Sequence, residues 1–232
     1  MALVYNTFMT KPFHHFHPFA PFLNEQTQKV IVGTLPPPRF CTQVFKPRDV
    51  NFCYGSQDNL LWQALDKIYD LNLLFDNCHE AVHQRKIFLE QHNIGICDIV
   101  QSCTREKIDA SDMGMSEVKL RNLVGFINKF TNIHTLIFTG GSSQNGPEYF
   151  FKQQLQTYGL KLKKIEHETL RIHEVMIDKR VIRTYSLTSP SNAANRSIGA
   201  NPLYKEKRQK NPLYSTLDFR IEQYEKVFKG IL

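Results

Sequence analysis

Residues Lys29 to Leu35 read KVIVGTL and run straight into Pro36, Pro37 and Pro38. An uninterrupted β-branched run of this length predicts a strand buried on both faces, and prolines, which fix φ and lack an N–H, stop it in a rigid loop. Thr135 to Thr139, TLIFT, is a second such run and ends at Gly140-Gly141. The intervening chain reads as helices. Asp58 or Asn59 caps one in which Leu60, Leu61, Ala64, Leu65 and Ile68 share a face; a second covers Cys78 to His92 and a third Ser116 to Phe130, on the stripe Leu120, Leu123, Val124 and Ile127. Between the last two lies one short apolar segment, Ile94 to Val100. A helix follows Pro147, then strands at Leu160 to Ile165, Glu174 to Ile177 and Val181 to Leu187, the last two forming a hairpin around Asp178-Lys179-Arg180. A final helix runs from Ser215 to Ile231. Alternating buried strands and helices predict an α/β three-layer sandwich, a central, mainly parallel β-sheet flanked by helices. In such a sheet ligands sit beyond the carboxyl ends of the strands.

The chain has 232 residues, with 29 Lys+Arg against 22 Asp+Glu, a net charge of +7. That length suits a single domain over 1–232, with an irregular, aromatic and proline-rich N-terminal arm at 1–28 and a basic loop plus C-terminal helix at 198–232. A hydrophobic fraction of 41% and 17 Phe supply a core and exclude wholesale disorder. No run approaches the roughly 20 apolar residues of a spanning helix, and the first residues lack the pattern of a secretory leader. The expectation is a cytoplasmic monomer with no membrane partner. Cys41, Cys53, Cys78, Cys97 and Cys103 form an odd set without a C-x-x-C pair, which argues for reduced thiols rather than a disulfide framework or a zinc ribbon. The positive balance suits an anionic partner such as nucleic acid.

Several chemistries are excluded by motif. Gly140 to Gly146, GGSSQNG, has neither G-x-G-x-x-G spacing nor a terminal G-K-[ST], and reads as an ordinary strand-to-helix turn. No H-x-E with P-C-x-x-C is present, which removes a zinc deaminase. His14, His15 and His17 lack a neighbouring carboxylate or thiol in sequence, so surface or packing roles outweigh a metal site.

An ordered series of local motifs remains: Gly33-Thr34-Leu35-Pro36, then Tyr54-Gly55-Ser56-Gln57-Asp58-Asn59-Leu60-Leu61-Trp62, then Asp98 to Arg105 with Asp109 behind, then Ile137 to Gly141, then Thr188-Ser189-Pro190-Ser191-Asn192-Ala193. In type and order the series resembles the uracil-DNA glycosylase superfamily, most closely its hypoxanthine (deoxyinosine) DNA glycosylase branch. That branch shows G-S-M-P, Y-G-H-P-R-N-x-F-W, W-D-V-L-x-S-C-x-R-x-G-S-L-D, F-N-G and S-T-S-P-A-N-A. The resemblance covers about residues 29 to 196. It implies a monofunctional glycosylase that flips a deaminated base, hypoxanthine or uracil, out of DNA and hydrolyses its N-glycosidic bond with water, without cofactor or metal. No lysine is visibly placed as a Schiff-base nucleophile.

Carried over by position, Asn59 is the implied catalytic residue, its amide bonding the base or positioning water; a helix cap is the plainer role, and both are compatible. Tyr54 is implied to stack on the base, or is a core aromatic. Gly33, Thr34, Leu35 and Pro36 are implied to wall the base, with N–H donors confined by the prolines to Thr34, Leu35 or Arg39. Ser189, Pro190, Ser191 and Asn192 are implied to press on the strand, with Asn195 and Arg196 on phosphate or groove, against the plainer reading of a polar surface turn. Asp98 matches a family aspartate of structural character, a general base being the minor alternative. Lys205 to Lys210, KEKRQK, is a solvated loop or a DNA-backbone contact.

The chain departs from the pattern at three places. Leu35 stands where many members carry Asn or an acid, so no water-activating side chain is present there; Ser56-Gln57-Asp58 replaces H-P-R; and Leu187 replaces a histidine. The rival readings are a catalytically impaired nucleic-acid-binding protein of the same fold and an enzyme acting on free nucleosides.

Overall fold

The computed structural model describes residues 12–141 and 143–231. In chain order the elements are β1 (Phe13–Phe16), β2 (Lys29–Val32), α1 (Leu61–Tyr69), α2 (His79–Gln91), β3 (Ile94–Ile96), β4 (Val100–Arg105), β5 (Ser116–Leu120), α3 (Leu123–Lys129), β6 (Thr135–Phe138), α4 (Pro147–Thr157), β7 (Lys163–Ile165), β8 (Arg171–Ile177), β9 (Arg180–Ser186), α5 (Asn195–Ala200), α6 (Pro202–Lys210) and α7 (Thr216–Lys229).

A six-stranded sheet in the order β3-β2-β6-β9-β8-β7 forms the centre. The four strands β3, β2, β6 and β9 pair in parallel, while β8 and β7 add antiparallel. Side chains alternate across a strand, so each strand feeds two cores. Ile31, Ile137, Tyr185 and Leu187 face α1, α2 and α7, packing with Leu61, Trp62, Leu65, Phe88 and Tyr224. Val30, Val32, Leu136, Phe138 and Ile182 face α3 and α4, packing with Leu123, Ile127, Phe150 and Phe151. Helices thus flank the sheet on both faces, the mixed α/β arrangement expected. The β8–β9 turn is also as read: Asp178 and Lys179 both have positive φ, 48° and 61°, the pair that lets a two-residue turn follow the sheet twist.

A second sheet of three antiparallel strands, β1-β4-β5, was not expected. Ile94 to Val100 is two strands rather than one segment, because the chain crosses from one sheet to the other at Asp98. The expected helix Ser116 to Phe130 is likewise divided. Ser116, Lys119 and Leu120 pair with Thr104, Ser102 and Val100 of β4, and the helix begins only after Asn122, whose side chain accepts from Gly125 N at 2.8 Å. Val118 and Leu120 fit a strand, with period 2, as well as Leu120 fits a helical stripe.

Within the N-terminal arm one regular strand stands out, β1, and the rest of the described part is irregular but for a bridge at Phe22; residues 1–11 lie outside the described residues. β1 runs antiparallel to β4, placing His15 opposite Cys103. His15 is buried and accepts from Arg105 Nε at 2.7 Å; burial and then the Arg105 charge lower its pKa to about 4. KEKRQK is not a loop but the body of α6. Asn201 caps this helix, accepting from Leu203 N at 2.9 Å, with Pro202 at its first position. Tyr204, Tyr214 and Ile198 form a small separate core beneath it. Among the described residues no helix is long and apolar enough to cross a membrane.

Glu148, in the first turn of α4, is fully buried between sheet and helix. It accepts from Arg171 Nε (2.7 Å) and Nη2 (2.8 Å), Ser186 Oγ (2.5 Å) and Lys152 Nζ (2.6 Å). Burial alone would raise its pKa, but these donors prevail and lower it to about 2. Because the folded value lies below the ordinary one, the resulting stability is present above pH 4.5 and lost as pH falls towards 2. Glu148→Gln is therefore expected to reduce unfolding free energy by about 2 kcal/mol at pH 7. Urea titrations should show that deficit closing over the same acid interval as the parent protonates.

Candidate functional site

A cavity of about 880 Å³ opens at the carboxyl ends of β2, β6 and β9. Its wall combines Gly33 to Pro37 after β2, Tyr54 to Ser56 and Asn59 before α1, Asp98, Ser111 and Asp112, Thr139 to Gly141 after β6, and Ser186 to Ser191 after β9. Gly33, Thr34, Leu35, Pro36, Tyr54, Asn59, Ser189, Pro190 and Ser191, chosen from widely separated motifs, thus share one cavity. Asn192, Asn195 and Arg196 are outside its wall.

Asp98 organises the floor. It is 5% exposed and accepts three hydrogen bonds: from His17 Nε2 at 2.8 Å on Oδ2, and from Gly33 N at 2.7 Å and Tyr54 Oη at 2.6 Å on Oδ1. Burial and then the Asp98 charge push the Tyr54 phenol well above its usual pKa. Tyr54 therefore remains neutral, with its hydroxyl anchored inward and its half-buried ring on the cavity wall. Its φ of 58° is left-handed, a conformation that a bulky residue keeps only when its surroundings enforce it. Gly33 answers a steric demand: a Cβ there would lie 2.4 Å from Tyr54 Oη and 2.9 Å from Asp98 Oδ1 and Thr139 Oγ1.

The loop between Arg39 and Phe52 is packed around another buried carboxylate. Asp49, fully buried, accepts from Arg39 Nε at 2.6 Å and Nη2 at 2.8 Å, from Lys46 N at 2.9 Å and from Gln57 N at 2.8 Å. The Arg39 guanidinium is thereby committed to Asp49, with Ser56 and Asp58 beside it. Thr34 N and Leu35 N make no hydrogen bond among the described residues and remain as the wall's backbone donors. Asp58, the carboxylate that replaces a cation of the motif, is paired with Lys46 at 2.7 Å and Arg39 at 3.4 Å.

Asn59 combines both of its readings. Its Oδ1 accepts from Leu61 N at 2.9 Å and so caps α1, while its Nδ2 makes no hydrogen bond among the described residues. Asn59 also forms a β-bridge with Ser191, and Leu60 N donates to Pro190 O at 2.9 Å. The late loop is fixed from below by Arg220, a fully buried residue absent from the motif reading. Its guanidinium donates to Ser189 O, Ser191 O and Asn195 Oδ1, each at 2.9 Å, and to Thr216 O at 3.0 Å. Asn195 is thus tied through Oδ1 to Arg220, while Arg196 is exposed on α5. Arg171 and Asp112 also line the cavity without any local motif to announce them; Arg171 comes from β8, directly opposite Ser186.

A His17 ring nitrogen, Cys53 Sγ and an Asp98 oxygen lie within 4.8 Å of one another, the one grouping of metal-type donors among the described residues. Hydrogen bonds to protein groups already engage both Asp98 oxygens and both His17 nitrogens. Burial, and then the Asp98 charge, raise the Cys53 thiol well above its usual pKa. The donor set fits a buried, hydrogen-bonded network better than a metal centre.

Removing a carboxylate that gathers three donors leaves them unpaired in a dry interior. Asp98→Ala is expected to lower unfolding free energy by about 3 to 5 kcal/mol, measured by urea denaturation. A loss under 1 kcal/mol would show that the network is not what fixes the floor.

Comparison with known proteins adds one result on fold. No protein-family model and no curated protein sequence matches the chain. A solution NMR structure from Methanosarcina acetivorans, of a protein described as a "putative Uracil DNA glycosylase", is similar with a TM-score of 0.54 and 17% identity. The match covers 94% of this chain and 99% of that one. At that identity it establishes a shared fold, running through nearly the full length of both chains.

Proposed function

We propose that this chain is a monofunctional DNA glycosylase of the uracil-DNA glycosylase superfamily, hydrolysing the N-glycosidic bond of a deaminated base, hypoxanthine or uracil, in DNA. The observation that carries the reading is convergence. Motifs matched by type and order alone, from Gly33 to Ser191, meet around one cavity at the carboxyl edge of the sheet. The shared fold of the Methanosarcina acetivorans protein supports the same reading.

Glycosidic cleavage passes through a sugar with oxocarbenium character and leaves a negative charge on the base, so the site must hold an extruded base and stabilise that charge. Tyr54 offers its ring as a stacking surface for the base, fixed at its hydroxyl end by Asp98. Thr34 N–H and Leu35 N–H are available to a base carbonyl, and the Asn59 amide N–H₂ to a second acceptor or to water. The Ser189 to Ser191 loop, held by Arg220, lies beside the opening where a gap in the strand would need filling. Phosphate contacts fall to exposed cations, Arg196 and those of α6. The reaction uses water and calls on no cofactor.

Labelled oligonucleotides carrying one uracil, hypoxanthine, xanthine or mismatched thymine, single- and double-stranded, are incubated with the protein and abasic sites are opened with alkali. Scission is expected at hypoxanthine or uracil. It should fall at least hundredfold in Asn59→Ala and also in Asn59→Ser, which keeps a capping oxygen but loses the amide. Tyr54→Ala should lose about tenfold, on the scale of one base stack. Retained binding with no scission at any lesion would replace the enzyme by a binding protein of this fold.

A further inference from the structure

Three carboxylates line the cavity: Asp58, Asp98 and Asp112. Their surroundings separate them. Asp58 stands at the exposed rim in ion pairs with Lys46 and Arg39. Asp98 has both oxygens occupied by His17, Gly33 N and Tyr54. Asp112 accepts one side-chain hydrogen bond, from Thr34 Oγ1 to Oδ1 at 2.8 Å, and its Oδ2 makes none among the described residues.

The position of Asp112 is built, not incidental. A 3₁₀ turn, Asp112–Gly114, carries it. Arg105, 1% exposed on β4, donates from Nη1 to Ser111 O at 2.5 Å. Asn145, ahead of α4, donates from Nδ2 to Asp112 O at 3.0 Å. Thr34 belongs to the first motif and is the immediate neighbour of Leu35, the position that lacks a polar side chain. The carboxylate missing from the strand end is therefore delivered to the same wall from a loop 78 residues further along the chain.

We propose that Asp112 is the catalytic residue that takes the proton from the attacking water, in the role that Leu35 is unable to fill. This assignment rests on the glycosylase reading. Water placed against Oδ2 gives its proton to Asp112 as its oxygen bonds to C1′ of the sugar. The C1′–N bond breaks and its electron pair leaves with the base, which is then protonated from solvent. The products are a free base and an abasic sugar.

The charges around Asp112 set the pH dependence. Burial raises its pKa above the ordinary 3.8; the Thr34 hydrogen bond and the Arg105 charge act downward, and the Asp98 charge acts upward. Asp109, on the same loop, pairs with Arg105 at 3.5 Å, and His15 of β1 accepts from Arg105 on its other side. Since the folded value is raised, ionisation of Asp112 works against folding as pH rises through it. A neutral replacement is therefore expected to fold at least as well at pH 7.

Single-turnover excision is measured against pH for the parent, Asp112→Asn and Thr34→Val, alongside thermal melting. The parent rate should rise with pH along an acid limb whose midpoint lies above 3.8 and then level off. Asp112→Asn should lose at least a hundredfold on the plateau, lose the limb, and melt at or above the parent temperature. Thr34→Val should move the limb to higher pH, since it removes a hydrogen bond that favours the carboxylate. A parent that cleaves while Asp112→Asn stays within threefold of it would overturn the assignment and leave the glycosylase reading standing. So would a slow Asp112→Asn with an unchanged limb, which marks a positioning role. A parent that cleaves no lesion removes both.

Discussion

A carboxylate in a dry interior is tolerated when donors meet its charge on both oxygens, and Asp98 is where this chain gathers such donors from furthest apart. The donors come from three distant places: the ring of His17 after β1, the backbone of Gly33 after β2, and the phenol of Tyr54 ahead of α1. Asp98 itself stands where the chain leaves the large sheet for the small one. One side chain therefore joins both sheets, the first loop and the aromatic wall of the cavity. The penalty for an unpaired buried charge makes the arrangement close to all-or-none.

The parts of the fold legible in the sequence are those fixed by short-range physics. KVIVG and TLIFT announce buried strands because nothing else suits an unbroken β-branched run ended by proline or glycine. Pro147 and Ser215 mark helix starts, and Ser215 and Asp218 complete a reciprocal cap. What was not legible depends on partners far away. Phe13 to Phe16 carries no strand signature stronger than its histidines and the flanking Pro12 and Pro18, and becomes a strand because β4 offers an unpaired edge. Ser116 to Leu120 is decided by the same strand from its other side, against a local pattern that reads equally well as helix. KEKRQK has little apolar content of its own, and its helix rests on Asn201 at the start and Tyr204 underneath.

The cavity divides along the same line. Residues in ordered local motifs were found by matching type and sequence order, and most share its wall. The Oδ1 of Asn195 is held by Arg220, and Arg220 is invisible in sequence because a lone arginine in an amphipathic helix reads as solvent-facing. Arg171 and Asp112 carry no motif either. Each is aimed by a fully buried neighbour of opposite charge or by a hydroxyl, Glu148 for the first and Thr34 for the second. Sequence reading located the walls, and the groups that give the space its charge came from outside the motifs.

The missing Cβ at Gly33 has a consequence for how such a chain can change over time. Any side chain there collides at once with Tyr54, Asp98 and Thr139, so a tolerated replacement requires the phenol to be shortened or removed in the same step. Loss of the phenol in turn strips a donor from Asp98. The four positions form one heritable block: homologues are expected to keep the quartet together or to exchange it as a whole, with few single-residue intermediates between.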